Sequence, residues 1–195
     1  MILGIGVDLV ALPALVEQVG LPGSTFLDSV LTARERRVVE SRVRAEAGSV
    51  KDPRACAPHV GVRWAAKEAF VKAWSSALEG VAPPIPVEQF DWREVEVVQD
   101  HWGRPTLHLH GRVAQEVART LALPGDRLPS SSSSSRSASS SCSGLRSIRW
   151  HVSLSHDGDL AVAAVVLERV HTDDIDDTDG IGAGGAGSLT GFPTG

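Results

Sequence analysis

Two acids stand apart from the other carboxylates of the chain because of their neighbours. Asp8 follows glycines at alternate positions in Gly4-Ile5-Gly6-Val7-Asp8, and Glu68 lies among short side chains in Ala65-Ala66-Lys67-Glu68-Ala69. A sparse pair of carboxylates suits Mg2+ when water and phosphate oxygens complete its octahedron. Cations are available at Arg63, Lys67, Lys72 and Arg104, and a later alternating segment puts Arg149, His151, Ser153 and Ser155 along one side. These parts fit an anionic, phosphate-bearing ligand. Phosphoryl transfer is the matching chemistry, because there the protein mostly positions groups and neutralises charge. Plainer readings remain open on the residues alone. Asp8 could cap the helix that follows it, and Glu68 with Lys72 is an i, i+4 pair that stabilises any solvated helix by about 0.2–0.5 kcal/mol. His108 and His110 share one side of a strand but lack a third ligand, so they read as exposed strand residues rather than a zinc site.

The elements that must position these groups follow from periodicity. Ile2 to Val10 alternates as a strand with Ile5, Val7 and Leu9 on one face and Gly4, Gly6 and Asp8 on the other, where the glycines admit a close approach of backbone or ligand. Ala11 to Val19 reads as a helix with Pro13 in its first turn. Thr32 with Glu35 makes a capping box for a helix from Ala33 to Ala45. Ala47 to Pro58 reads as a surface connection into the central helix, from His59 or Val60 to Leu78 with Gly80 after its end. On that helix Trp64, Ala66, Phe70, Val71, Trp74, Ala77 and Leu78 form an apolar arc. Glu68 and Lys72 flank the arc, and the small Ala65 and Ala69 beside them leave room for a second body. Lys67 projects into the arc, so its ammonium needs an anion. Further on come a strand around Val95 and Val97, a turn at 100–105, a returning strand Thr106 to His110, a helix Gly111 to Leu121, and a hairpin of Ile148 to His156 with Leu160 to Leu167.

Composition narrows the function class. The formal charge of −5 resides in five aspartates of the segment from Val170 onward, which holds no Lys or Arg, so the remaining body is neutral and offers no broad nucleic-acid footprint. Arg34, Arg36, Arg37, Arg42 and Arg44 make one local basic strip. No apolar run approaches membrane-spanning length and no cleavable signal opens the chain, so a cytosolic protein is expected. Cys56 and Cys142 read as reduced loop thiols. One domain is expected over residues 1–168, with a disordered serine-rich insert over about 124–147 and a disordered tail over 169–195.

Four segments taken in order resemble the holo-[acyl-carrier-protein] synthase family, most of all its actinobacterial members: Gly4-Ile5-Gly6-Val7-Asp8-Leu9-Val10, Arg63-Trp64-Ala65-Ala66-Lys67-Glu68-Ala69 with Lys72-Ala73, Gly103-Arg104-Pro105, and Trp150-His151-Val152-Ser153-Leu154-Ser155-His156-Asp157. The similarity spans residues 2–168 apart from the serine-rich insert. The first and third segments are weak singly; the helix and strand motifs together are specific.

The resemblance implies a Mg2+-dependent transfer of 4′-phosphopantetheine from coenzyme A to a serine of an acyl carrier protein, with release of adenosine 3′,5′-bisphosphate. It implies an α+β fold of the 4′-phosphopantetheinyl transferase type, with an antiparallel sheet against a long central helix. It implies a homotrimer with active sites between subunits. Asp8 and Glu68 match its metal ligands, and Lys72 matches a lysine on the coenzyme A phosphate. Arg63, Gly103, Arg104, Pro105, Ser155 and His156 match the nucleotide end. His156 and Asp157 match residues implicated in activating the carrier serine, for which a metal-bound water is the competing base. Family members dock an acidic carrier on the first helix, yet Ala11 to Val19 here holds no Arg or Lys; the strip from Arg34 to Arg44 is the available substitute. A non-catalytic coenzyme A-binding module and a Mg2+-dependent phosphohydrolase are the rival readings.

Overall fold

The structure is a computed structural model and describes residues 1–47, 52–122 and 148–170. Its centre is α4, Pro53–Ala77, a helix of 25 residues. Asp52 caps it by accepting a hydrogen bond from the Arg54 N–H at 2.9 Å, and Pro53 occupies the first turn, where a missing N–H costs nothing. The helix therefore starts about two turns before the expected His59, and Pro58 lies inside it. Burial overrides the breaker: Cys56, Ala57 and Val60 on these turns pack with Leu12, Leu15, Val39 and Val43. Cys56 is thus a buried helix residue rather than a loop thiol, with its thiol pushed up by that burial.

Three antiparallel strands lie against α4: β1 (Ile2–Ala11), β4 (Ile148–Asp157) and β5 (Leu160–Arg169), in the order β1-β5-β4. Alternation sends Gly4, Gly6 and Asp8 with Ala161, Ala163, Val165 and Leu167 to the helix side. What comes close to the two glycines is the backbone of α4. A Cβ on Gly6 would stand 1.9 Å from the Ala69 carbonyl oxygen, and one on Gly4 would stand 2.1 Å from that of Ala73. Ala65 and Ala69 are fully buried, so the second body expected beside Glu68 is β1 itself. On the opposite face Ile5, Val7 and Leu9 are each more than half exposed.

Around this core run α1 (Leu12–Gly20), α2 (Phe26–Val30), α3 (Ala33–Ala47), the hairpin of β2 (Val95–Gln99) and β3 (Pro105–Leu109), and α5 (Gly111–Leu121). The capping box is present: Glu35 N–H donates to Thr32 Oγ1 at 3.1 Å and Thr32 N–H donates to Glu35 Oε2 at 2.9 Å. Glu35 is also the anion Lys67 needs. The Lys67 ammonium, completely buried, donates to Glu35 Oε2 at 2.8 Å, Val30 O at 2.6 Å and Trp92 O at 3.1 Å. Glu35 Oε1 accepts from Val97 N–H at 2.9 Å, so a single ion pair ties α3, α4 and β2 together.

Strand β5 runs two residues past the expected Leu167. Arg169, assigned from sequence to a disordered tail, is hydrogen-bonded to Met1 in both directions, at 2.8 and 2.7 Å. The expectations for 124–147, for the rest of the tail and for Cys142 lie outside the described residues.

Candidate active site

The close seat of β1 on α4 brings Asp8 to Glu68 and Lys72. Asp8 is not a helix cap: the cap position of α1 is Ala11, which makes no side-chain bond. Nor does Lys72 spend its hydrogen bonds on its i−4 neighbour, whose charge acts on it only through space. Its ammonium donates to Asp8 Oδ1 at 2.8 Å and to Val7 O at 3.1 Å, and the bond to Asp8 is the main reason its pKa is raised. The other Asp8 oxygen, Oδ2, is buried without a hydrogen-bond partner. Glu68 stands close enough to Asp8 for a protonated Glu68 carboxyl to hydrogen-bond to it. Its carboxyl is pushed up to about 7, first by burial, then by the Asp8 charge and that hydrogen bond, with Lys72 opposing. Two ionised carboxylates have no donor between them, which leaves a buried acceptor lacking a partner and a half-buried glutamate that resists ionisation. A small hard cation relieves both. Among the described residues no third His, Cys, Asp or Glu joins them, so most of an octahedron is left to water and phosphate oxygen, the arrangement Mg2+ favours.

A second cluster occupies the other side of α4. At roughly 100° per residue, His59 and Arg63 point about 180° away from Glu68 and Lys72. They line a cavity of ≈ 180 Å³ together with Arg42, Gln99, Ser155 and His156. Arg63 is buried, donates from Nη1 to His59 O at 2.7 Å, and leaves Nε without an acceptor. Burial lowers its pKa, so an anion entering the cavity would be welcome. The His59 ring stands 6.4 Å from that of His156, and its Nε2 lies 3.0 Å from Glu46 Oε2. In the sheet Asp8 pairs with Ala163, and Ala163 with Leu154, whereas His156 pairs with Ala161. His156 is thus two strands and two residues from Asp8, on the order of 12 Å at Cα.

The family model of the 4′-phosphopantetheinyl transferase superfamily matches residues 4–165. The chain belongs to that superfamily. A curated relative, the holo-[acyl-carrier-protein] synthase of Corynebacterium efficiens, is 38% identical over 165 residues, 85% of this chain and 93% of the relative. The synthase of Mycobacterium leprae strain Br4923 is 35% identical over 167 residues, 86% and 97% of the two chains. Among solved structures, an ACPS–CoA complex from Chronobacterium ammoniagenes superposes with a TM-score of 0.64 at 34% identity, covering 86% of this chain and 98% of that one. The Mycobacterium tuberculosis acyl carrier protein synthase gives 0.54 at 32% identity, covering 87% and 99%. The mixed fold expected from the sequence, antiparallel strands against a long helix, is the fold of these superfamily members.

The remaining residues singled out in this phosphopantetheinyl transferase are scattered. Lys67, expected among the ligand-binding cations, is enclosed by Glu35 and two carbonyls and faces no open surface. Its place in the core is structural, because an ammonium on that arc is stable only when paired. His151 and Ser153 lie on the sheet face away from Asp8, and His151 Nε2 meets Glu168 Oε2 at 2.7 Å. Asp157 is exposed where β4 turns into β5. Gly103, Arg104 and Pro105 form the end of the β2–β3 hairpin, with Gly103 at φ +82° and Arg104 Nε on Asp100 Oδ2 at 2.6 Å. Sequence reasoning did not group Arg42, His59 and Gln99 with the site: Arg42 was read only as part of the basic strip on α3, and His59, one turn before Arg63, only as a possible first residue of the central helix.

Proposed function

We propose that the chain transfers 4′-phosphopantetheine from coenzyme A to a serine hydroxyl of an apo acyl carrier protein and releases adenosine 3′,5′-bisphosphate. The observation that carries this reading is the Asp8–Glu68 pair with its unpartnered buried oxygen. Those two carboxylates would hold Mg2+, which when bound supplies charge neutralisation at the diphosphate. Lys72, more than half exposed beside Asp8, is placed to reach a phosphate oxygen of the donor. Arg63 and His156 would receive an anionic group of the nucleotide end in the cavity. In the transfer the serine oxygen forms a bond to the phosphorus that bears pantetheine, the bridging P–O bond of the diphosphate breaks, and the bisphosphate departs with the bridging oxygen.

The carboxylate pair and the cavity lie on opposite flanks of one helix. A single ligand spans both when the carboxylates of one copy meet the cavity of another. His156, at the cavity, and Asp157, exposed next to it at the end of β4, would then serve the carrier serine as proton acceptors across that boundary. The exposed row of Ile5, Val7 and Leu9 supports an assembly that covers it, and the trimer implied by the resemblance is our assignment. For the carrier we assign Arg34, Arg37 and Arg44, exposed along one stripe of α3, since α1 presents no cation and Arg36 is held by Asp28. These substrates are soluble, and no helix among the described residues is long and apolar enough to cross a membrane; we place the protein in the cytosol.

The test is incubation with coenzyme A, Mg2+ and an apo carrier, followed by intact-mass measurement of the carrier. A gain of one phosphopantetheine group supports transfer. Coenzyme A cleavage with an unlabelled carrier marks a phosphohydrolase, and an unchanged mixture marks a binding module.

A further inference from the structure

Three arginines of α3, Arg34, Arg37 and Arg44, are exposed, and none forms an ion pair among the described residues. At roughly 100° per residue Arg37 and Arg44 stand about 20° apart and Arg34 about 60° from Arg37, so the three share one stripe. The other arginines of the helix are engaged: Arg36 by Asp28, and Arg42 by Gln99 Oε1 at 2.7 Å. Glu40, within about a turn of Arg37 and of Arg44, pairs with neither.

The matching charge is in the same chain. Asp173, Asp174, Asp176, Asp177 and Asp179 fall within seven residues, and the segment from His171 onward holds no Lys or Arg. That segment lies outside the part matched to the superfamily, which ends at residue 165. A block of like charges repels itself and is stabilised beside cations.

The place where the chain leaves β5 decides whether the two can meet. Arg169 Nη2 donates to Leu121 O, at the C-terminal end of α5, at 3.1 Å. At the other end of α5, Val113 N–H donates to Glu94 Oε2 at 2.8 Å. Two residues along, Glu96 Oε1 accepts at 2.6 Å from Oγ1 of Thr32, which precedes Arg34 by two residues. From Arg169 to the near end of the stripe is thus one short helix and the side-chain contacts at its ends, roughly 30 Å along that path and less in a straight line. Asp179 is ten residues past Arg169 (179 − 169 = 10), and ten extended residues span about 33–36 Å.

We propose that the aspartates between residues 173 and 179 occupy the Arg34–Arg37–Arg44 stripe of their own chain until an acidic carrier displaces them. This rests on the reading of that stripe as the carrier's dock and makes the segment an internal competitor for it. A tethered segment meets its site at an effective concentration on the order of a millimolar, so a contact of about millimolar strength stands half formed and raises the KM for the carrier about twofold. The charges are exposed, so salt screens the contact.

The experiment compares the full chain with a variant carrying Asp173→Asn, Asp174→Asn, Asp176→Asn, Asp177→Asn and Asp179→Asn together. At low salt the variant should show a KM for the carrier lower by about twofold, with kcat and the KM for coenzyme A unchanged, and the difference should vanish at high salt. In an Arg34→Glu, Arg37→Glu background the five substitutions should change nothing. A spin label on Thr178→Cys, with Cys142→Ser so that the other thiol is the buried Cys56, should broaden the amide NMR signals of residues 34–44 and lose that effect in the same background. An unchanged carrier KM, or α3 signals left sharp by the label, overturns the competitor and leaves the transferase reading intact. An equal fall in carrier KM with Arg34 and Arg37 reversed overturns it too, because the segment then acts through overall charge alone. A label that broadens α3 in a protein that never modifies a carrier refutes the transferase reading and keeps the contact.

Discussion

Gly6→Ala is the sharpest perturbation of the geometry on which the site depends. Its new Cβ would stand 1.9 Å from Ala69 O, 2.6 Å from Ala73 N and 2.9 Å from Ala69 C, all backbone atoms of α4. No side chain can swing aside. Restoring even a 3.0 Å contact needs β1 and α4 to part by about 1.1 Å, since 3.0 minus 1.9 is 1.1. Asp8, two residues along the same strand, moves with it, away from Glu68. A shared ion tolerates about 0.2 Å in its ligand distances, and a misplacement of about 1 Å near a reacting centre costs on the order of a hundredfold in rate. The overpacking itself should cost about 1–3 kcal/mol, so the variant should still fold. The assay is carrier labelling at saturating coenzyme A, alongside urea unfolding. Gly20→Ala, whose Cβ would meet only Pro53 Cγ at 3.6 Å, is the control and should label normally. A Gly6→Ala protein with wild-type kcat would refute the argument that the glycine contact sets the Asp8–Glu68 distance.

Other expected outcomes follow from single residues. Glu35→Ala leaves the fully buried Lys67 ammonium unpaired and should cost about 3–5 kcal/mol by urea denaturation; replacing the pair together, Glu35→Leu with Lys67→Met, should cost much less, and equal losses would contradict the ion-pair account. Because folding raises the Glu68 pKa to about 7, the folded state favours its protonated form, and the stability that proton carries is present below about 4.5 and lost as pH rises to 7. In the absence of divalent ions, thermal unfolding of wild type minus that of Glu68→Gln should therefore decline across that window; a flat difference would count against the carboxylate pairing. Val7→Asp puts charge on the exposed apolar face and should leave monomers in sedimentation analysis, whereas an unchanged mass would exclude that face from assembly. Arg34→Glu with Arg37→Glu should raise the KM for the carrier and spare that for coenzyme A; an unaltered carrier KM removes the α3 stripe from docking.

Much of this fold is written in local pattern. Capping at Thr32 and Glu35, the proline in the first turn of α1, and the limits of α5 needed no tertiary information, because the groups that decide them lie within one turn. Lys67 was legible in part: an ammonium on an apolar arc signals a buried anion, but the choice of Glu35 depends on how α3 packs. The start of α4 was misread because Pro58 breaks isolated helices and becomes tolerable only when the turns around it are buried. Alternation on β1 identified the glycine face as a place of close approach, and nothing in the strand alone says that the approaching body is the helix bearing Glu68. The same limit hid the separation of the site into two flanks. Spacing along α4 holds the roughly 180° between Arg63 and Lys72, yet that angle has meaning only once β1 and β4 are known to be the two opposite edges of the sheet on α4.

The central claim is that Asp8 and Glu68 together hold one divalent ion. Titrating the metal-free protein with Mn2+ in the presence of coenzyme A, by electron paramagnetic resonance, tests it most directly. One site per chain in the wild type, lost in both Asp8→Asn and Glu68→Gln while each variant still binds coenzyme A, is the expected result. Undiminished Mn2+ binding in either variant would contradict it.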